Sequence, residues 1–213
     1  MKNKLIWAIV ILIVIIAGGW YYFAKPKPAT GEPIKIGIST ILSGDLAAAG
    51  ENAVNAAKIA VGEINDSGGI HGRMLELDIQ DAACDSKTGL SAAEKLVNVD
   101  NIHYIIGATC SNGTLAAAPL VNDKKVPYLT PVTGGTNVDN AGEYIFRTAN
   151  SDLFAGRDLA NAALKLGFKK VAVVAEVTEY TLDIRNTFES TIKAGGGTVI
   201  MSEEFQPNNK DFR

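Results

Sequence analysis

The chain has 213 residues, of which 47% are hydrophobic and 20% are charged, and its net charge is -3. This composition is typical of a globular protein, and it excludes a disordered chain, a collagen and a small disulfide scaffold. The acidic balance argues against a nucleic-acid partner, and two histidines with two cysteines are too few for most metal sites.

The chain opens with an apolar segment between lysines. Residues 5–24 carry no charge, and as a helix this run is long enough to cross a bilayer core of roughly 30 Å. The aromatic residues 20–23 suit a membrane–water interface. We therefore predict that residues 1–24 form an uncleaved transmembrane anchor, with a cleaved signal peptide as the alternative. Either interpretation places the remaining chain outside the cytoplasm.

Strands and helices alternate after a proline-rich stretch, residues 25–33, which we expect to be a semi-rigid linker. The hydrophobic periodicity predicts strands over residues 34–38, 74–79, 104–106, 126–129, 144–146, 171–175 and 198–202. It predicts helices over residues 47–65, 87–97, 113–121, 153–166 and 182–194. This alternation is typical of right-handed βαβ units, so the predicted fold class is α/β with a doubly wound parallel sheet. Because no helix follows the last strand, we expect the sequence to be a fragment of a longer protein.

Small, hydroxylic and glycine residues follow the predicted strands, where ligands bind in an open parallel sheet. The most informative of these segments contains Ser111 and Asn112, directly before the predicted helix 113–121. Free backbone N–H groups and the helix dipole favour an anion there, and a carboxylate is the simplest candidate. The alternative is that Ser111 or Asn112 only caps the helix.

Cys84 and Cys110 follow strands that the predicted order places next to each other. Outside the cytoplasm we expect them to form a disulfide that braces the segment beside Ser111, the alternative being two free buried thiols. Tyr180 follows a later strand. If that strand belongs to a second lobe, the tyrosine faces a cleft and can stack on a ligand; otherwise it is an exposed residue at the start of a helix.

Motifs of common enzymes are missing from the sequence. It contains no phosphate-binding G-x-x-x-x-G-K-[ST] loop, no G-x-S-x-G nucleophile elbow and no H-E-x-x-H zinc motif. His71 and His103 have no serine or cysteine partner in plausible register. We therefore predict no catalytic residue, no cofactor and no metal ligand, and we expect a binding protein.

Several short motifs, taken in order, resemble a known family. They are the segments 34–37, 42–44, 63–65, 68–72, 81–85, 107–111, 130–131, 146–148 with Asp152, Tyr180, and 210–212. Together they are similar to the N-terminal part of type I periplasmic binding proteins, most closely the leucine/isoleucine/valine-binding family of ABC transporters. The resemblance runs from Ile34 to Arg213.

The resemblance implies two α/β lobes that close on a small ligand, with residues 34–150 forming an incomplete first lobe and 151–213 the start of the second. It implies that Ser111 binds the ligand α-carboxylate. It places Val132, Thr133 and Gly134 against the carboxylate and ammonium groups, and Tyr180 at the cleft. Gly134 stands where the family usually has threonine.

The function that the resemblance implies is solute binding for an ABC importer, with amino acids or similar small carboxylates and amides as ligands. The expected partners are the ABC permease subunits and the membrane that holds the N-terminal helix. A sensor ectodomain of a membrane signalling protein is the alternative, and an extracytoplasmic α/β enzyme is a third hypothesis.

Overall fold

The computed structural model describes residues 7, 11–16, 18, 19, 31–107, 109–207 and 209. Most of the predicted anchor and of the linker lies outside these residues, although residues 11–16 are helical with exposed apolar side chains. Among the described residues, no helix has both the length and the apolar character needed to cross a membrane. The anchor therefore stays a prediction.

Five short strands form the first sheet, in the order β2-β1-β3-β4-β5. They are β1 (Ile34–Thr40), β2 (Leu75–Asp81), β3 (Ile105–Ile106), β4 (Tyr128–Thr130) and β5 (Ile145–Arg147). β3 pairs in parallel with β1 and with β4, and β4 pairs in parallel with β5. The parallel α/β class predicted from the alternation of elements is confirmed. The order reverses after β2, because β3 lies on the other side of β1 from it.

The helices are α1 (Ala47–Asp66), α2 (Ser86–Glu94), α3 (Ser111–Asp123), α4 (Asp152–Lys165) and α5 (Glu179–Ala194). α2 continues into a π-helical turn over Lys95–Val99, and a 3-10 helix spans Thr136–Asn140. The sequence predicted each of these five helices. α3 begins two residues earlier than predicted and α5 three residues earlier, so Ser111 and Tyr180 are both helical.

The core of the first sheet lies beneath α2 and α3, which pack closely against each other. A Cβ on Gly89 in α2 would lie 2.5 Å from the Cα of Gly113 in α3, so only glycine permits this approach. The core side chains are at most 3% exposed: Ala93, Leu96, Ile102, Ile105, Ala117, Val121, Val126 and Tyr128. This packing fixes the start of α3, where the candidate site lies.

A two-stranded parallel sheet follows, formed by β6 (Lys170–Glu176) and β7 (Thr198–Phe205). Its helices α4 and α5 pack against each other at Gly156, where a Cβ would lie 2.5 Å from the Ile184 carbonyl oxygen. α5 begins at a side-chain cap, since the Thr178 hydroxyl accepts the N–H of Thr181 at 3.2 Å.

Residues 57–76, with residues 31–34, form a compact unit of their own around a glycine-rich turn. The turn needs left-handed backbone conformations, with φ of 72° at Gly69, 51° at His71 and 78° at Gly72. The Asn65 side chain holds Leu75 by accepting its N–H at 2.8 Å and donating to its carbonyl at 3.0 Å. The unit includes the start of β2 and contains none of the candidate site residues.

Candidate functional site

The reversal of strand order between β1 and β3 marks the first feature of the site. In open α/β sheets, such a switch point leaves a crevice outside the carboxyl ends of the strands, because the two connections leave in opposite directions. The ends of β1 and β3 meet there, and the hydroxyls of Thr40 and Thr109 are hydrogen-bonded at 2.8 Å. The segment after β3 leads directly into Ser111.

Cys84 and Cys110 form a disulfide with a Cα–Cα distance of 5.4 Å, which confirms the predicted bridge. The predicted neighbourhood of their strands is wrong, since β1 lies between β2 and β3 in the sheet. The bridge therefore spans the end of β1 by joining the segments that follow β2 and β3. It ties down Cys110, the residue immediately before α3.

The N-terminus of α3 has no side-chain cap. Its N-cap residue is Cys110, which makes no side-chain capping bond, whereas Asp85 caps α2 and Thr178 caps α5. The interpretation of Ser111 or Asn112 as the N-cap is therefore wrong, because both lie inside the helix. The first N–H groups of α3 and its dipole remain available to an anion.

Ser111 is only 3% exposed. Its Oγ accepts the Gly135 N–H at 3.1 Å. The hydroxyl proton has no acceptor among the described groups, so it can donate to a ligand oxygen.

The segment after β4 lies against Ser111 and is held from several directions. Thr133 is buried, and its hydroxyl lies 2.5 Å from that of Thr130. The Gly134 carbonyl accepts the N–H of Asp152 at 2.7 Å and an N–H of Arg147 at 3.1 Å. The Gly134 N–H donates to no acceptor among the described residues. Among the described residues, the Ser111 hydroxyl proton and the Gly134 N–H are therefore two donors without an acceptor, and Ser111 is bonded to the neighbour of Gly134.

Val132 and Tyr180 are placed differently from the buried members of the predicted set. Val132 is 55% exposed and Tyr180 is 52% exposed. Tyr180 lies in the first turn of α5, and that turn contacts the first turn of α3 through Glu179, whose N–H donates to Asn112 Oδ1 at 3.1 Å. The structure therefore brings the first turn of α5 against the first turn of α3, while the stacking role of Tyr180 stays a prediction.

Two carboxyl groups that the sequence analysis did not single out as site residues border the loop. Asp183 in α5 accepts the Thr136 N–H at 2.6 Å and the Thr136 hydroxyl at 2.9 Å. Asp152, at the start of α4, is 6% exposed, and its Oδ2 has no partner among the described groups. Burial, followed by the charge of Asp183, raises the pKa of Asp152 to about 6, while Arg147 opposes the rise.

The sequence signals for these two residues were weak: Asp152 belongs to one of the motifs that resemble the family, and Asp183 belongs to none. An acidic residue at Asp152 is typical of the first turn of a helix, where it complements the dipole. Within the described residues, no group of three or more histidine, cysteine, aspartate or glutamate side chains could hold a metal ion. The arrangement can bind a small polar molecule through hydrogen bonds.

Comparison with known proteins gives the family. A family model described as Periplasmic binding protein matches residues 33–213. A Leu/Ile/Val-binding protein of Rhizobium johnstonii is 32% identical over 87% of this chain and 51% of the relative. The Leu/Ile/Val-binding protein of Escherichia coli is 31% identical over 86% of this chain and 50% of the relative. The chain thus spans about half the length of the curated relatives it matches.

Solved structures agree with this result. The branched-chain amino acid transporter substrate-binding protein of Streptococcus pneumoniae, in complex with isoleucine, matches with a TM-score of 0.77 and 29% identity over 85% of this chain and 52% of that one. An ABC transporter solute-binding protein of Rhodopseudomonas palustris, in complex with 3,4-dihydroxybenzoic acid, has a TM-score of 0.76 and 26% identity over 85% and 49%. These relatives are binding proteins, and their family implies an extracytoplasmic location. The chain belongs to the periplasmic binding protein family.

Proposed function

We propose that the protein is an extracytoplasmic solute-binding protein of an ABC importer, and that it binds an amino acid or a similar small carboxylate or amide. The names of the relatives support this proposal, because they describe leucine, isoleucine and valine binding and, in one solved structure, an aromatic acid. The ligand sits between two lobes, residues 34–150 and the lobe that begins at residue 151. The protein performs no chemistry, and the permease subunits of the importer are its partners.

One observation carries the proposal: Ser111 is buried at a helix N-terminus without a side-chain cap, beside the strand switch point, and its hydroxyl proton has no acceptor among the described residues. A ligand carboxylate there accepts this proton and the N–H groups of the first turn of α3. The Gly134 N–H adds a further donor, and Val132 and Thr133 complete the same loop. Tyr180 approaches from the first turn of α5 and stacks on the ligand.

The N-terminal segment holds the protein at the membrane in this proposal. Residues 1–24 form the anchor, and residues 25–33 act as the spacer between the anchor and the binding domain. Tethering keeps the ligand-loaded protein close to the permease, which raises its effective concentration there.

Calorimetric titration of the full-length gene product with L-isoleucine and L-leucine tests the proposal. We expect binding to the wild type, and a loss of roughly tenfold to a hundredfold in affinity for Ser111→Ala, because a hydrogen bond to a charged group contributes about 1.5–3 kcal/mol. Ser190→Ala is the matched control, since Ser190 is exposed on α5 and its hydroxyl donates to the Thr187 carbonyl. Equal affinities of the Ser111→Ala variant and the wild type would overturn the assignment of this subsite.

A further inference from the structure

Asp183 occupies an unusual position for a charged group in a carboxylate-binding site. It projects from α5 and accepts two hydrogen bonds from Thr136, one from the backbone N–H and one from the hydroxyl. Both bonds go to the same oxygen, Oδ2. The hydrogen bonds fix the carboxylate against the loop that also contacts Ser111, so its location is set by geometry rather than by a freely rotating side chain.

Ser111 and Asp183 lie on two sides of one glycine. A Cβ built on Gly135 would be 2.9 Å from Ser111 Oγ and 3.6 Å from Asp183 Oδ2. Ser111 Oγ and Asp183 Oδ2 are therefore neighbours across Gly135, and a ligand carboxylate that accepts the Ser111 proton lies in the field of a second carboxylate. Unit charges of the same sign at such a separation repel strongly in a partly desolvated site, because water screens them poorly there.

A second carboxyl group adds to the negative character of this wall. Asp152 packs against Gly134, the neighbour of Gly135, and its unpartnered Oδ2 is buried. Burial raises the pKa of Asp152, and the nearby charge of Asp183 raises it further. Arg147 offsets part of this charge, but its guanidinium is already bonded to the Gly134 and Gly135 carbonyls and to Asp139. A positively charged group beside the ligand carboxylate is the natural complement to the remaining negative charge.

We propose that Asp183 is a specificity-determining residue that selects ligands with a positive charge beside their carboxylate, and so disfavours carboxylates without an amine. The inference rests on the proposed function, in which the ligand carboxylate binds at Ser111. An α-amino acid places its ammonium one carbon away from the carboxylate, where the field of Asp183 attracts it. An aliphatic or aromatic acid without an amine meets only the repulsion.

The test compares two ligands that differ only in the amine, L-isoleucine and 3-methylpentanoate, by calorimetric titration of the full-length gene product. In the wild type we expect isoleucine to bind more tightly. Asp183→Asn keeps the shape and the ability to accept both Thr136 hydrogen bonds, but removes the charge. We expect the Kd of 3-methylpentanoate divided by the Kd of isoleucine to fall about tenfold in this variant, mainly because 3-methylpentanoate binds more tightly.

Glu179→Gln is the matched control, because Glu179 lies one turn earlier on α5 and contacts Asn137 rather than the Gly135 region. We expect it to leave the ratio unchanged. In the wild type, raising the salt concentration brings the two Kd values closer together, since screening weakens both the attraction of the ammonium and the repulsion of the carboxylate. This second measurement does not depend on the folding of a variant.

The outcomes separate the two proposals. If both ligands bind but neither Asp183→Asn nor salt changes their ratio, the role of Asp183 is overturned while solute binding stands. If Asp183→Asn and Glu179→Gln change the ratio equally, the effect belongs to the general charge of α5, and the inference is overturned. If the wild type binds none of the three ligands, leucine, isoleucine and 3-methylpentanoate, the proposed function and this inference fail together.

Discussion

The strands of the two sheets are similarly apolar, but their side chains are buried to very different extents. In the five-stranded sheet, Ile105 and Tyr128 are 2% and 0% exposed beneath α2 and α3. In the two-stranded sheet, Val174 is 58% exposed and Ile200 is 64% exposed. The difference shows that strand formation follows from local sequence, whereas burial depends on which helix packs against each face.

The same substitution in the two sheets sharpens this comparison. We expect Ile105→Ala to lower the free energy of unfolding by about 4 kcal/mol, because it removes buried apolar surface and leaves a cavity in a close-packed core. We expect Ile200→Ala to change it by less than about 0.5 kcal/mol, since that side chain is largely in water already. Urea denaturation of both variants measures the two values. Equal losses would show that the exposed face of β7 is covered in solution.

Glycine contacts distinguish the helices of the two regions. Gly89 in α2 faces the backbone of Gly113, which cannot move aside without shifting α3. We expect Gly89→Ala to cost about 2–3 kcal/mol, since overpacking against backbone forces a displacement of the helix. Urea denaturation measures this cost, and circular dichroism checks that the helix content is retained.

Gly195, the C-cap residue of α5, provides the matched case in the second region. A Cβ there meets the end of the Leu164 side chain, which can rotate away. We expect Gly195→Ala to cost less than about 1 kcal/mol, because a side chain adapts more cheaply than a backbone. A larger loss for Gly195→Ala than for Gly89→Ala would contradict the view that the first region is the more rigidly packed.

Much of the fold could be predicted because each element carries a local signal. Apolar periodicity located the strands and helices, and the polar segments after the strands located the rim that contains Ser111, Thr133 and Gly134. The position of β1 between β2 and β3 could not be predicted, because the order of strands depends on crossover connections that leave no mark in the local sequence. The bridge between Cys84 and Cys110 was nevertheless predicted, since two cysteines outside the cytoplasm are expected to be bonded to each other.

The acidic side of the candidate site shows where sequence reasoning stops. The contact of Asp183 with Thr136 joins residues 47 positions apart, and it exists only because α5 packs beside the start of α3. Nothing in the sequence near Asp183 separates it from an ordinary exposed acid in a helix. Asp152 was noticed only as part of a family motif, and its burial against Gly134 depends on the loop after β4.

Asp152 lies where the loop of the first sheet meets the helices of the second, so it tests how the two regions are joined. Its pKa is raised to about 6, chiefly by burial, then by the charge of Asp183. A carboxyl group whose pKa is higher in the folded protein than in the unfolded chain binds its proton more tightly when folded. Its ionisation therefore lowers stability as the pH rises from about 4 to 6, and the loss is complete above that window.

We expect Asp152→Asn to remove this dependence, because an amide of the same shape cannot ionise. Relative to the wild type, the variant should gain about 2 kcal/mol of stability between pH 4 and pH 7, measured by urea denaturation at each pH. Asp158→Asn is the control, since Asp158 is exposed on the same helix beside Arg157. If the difference between Asp152→Asn and the wild type stays constant with pH, the carboxyl is solvated in solution. That result would contradict the close packing of Asp152 between α4 and the loop after β4.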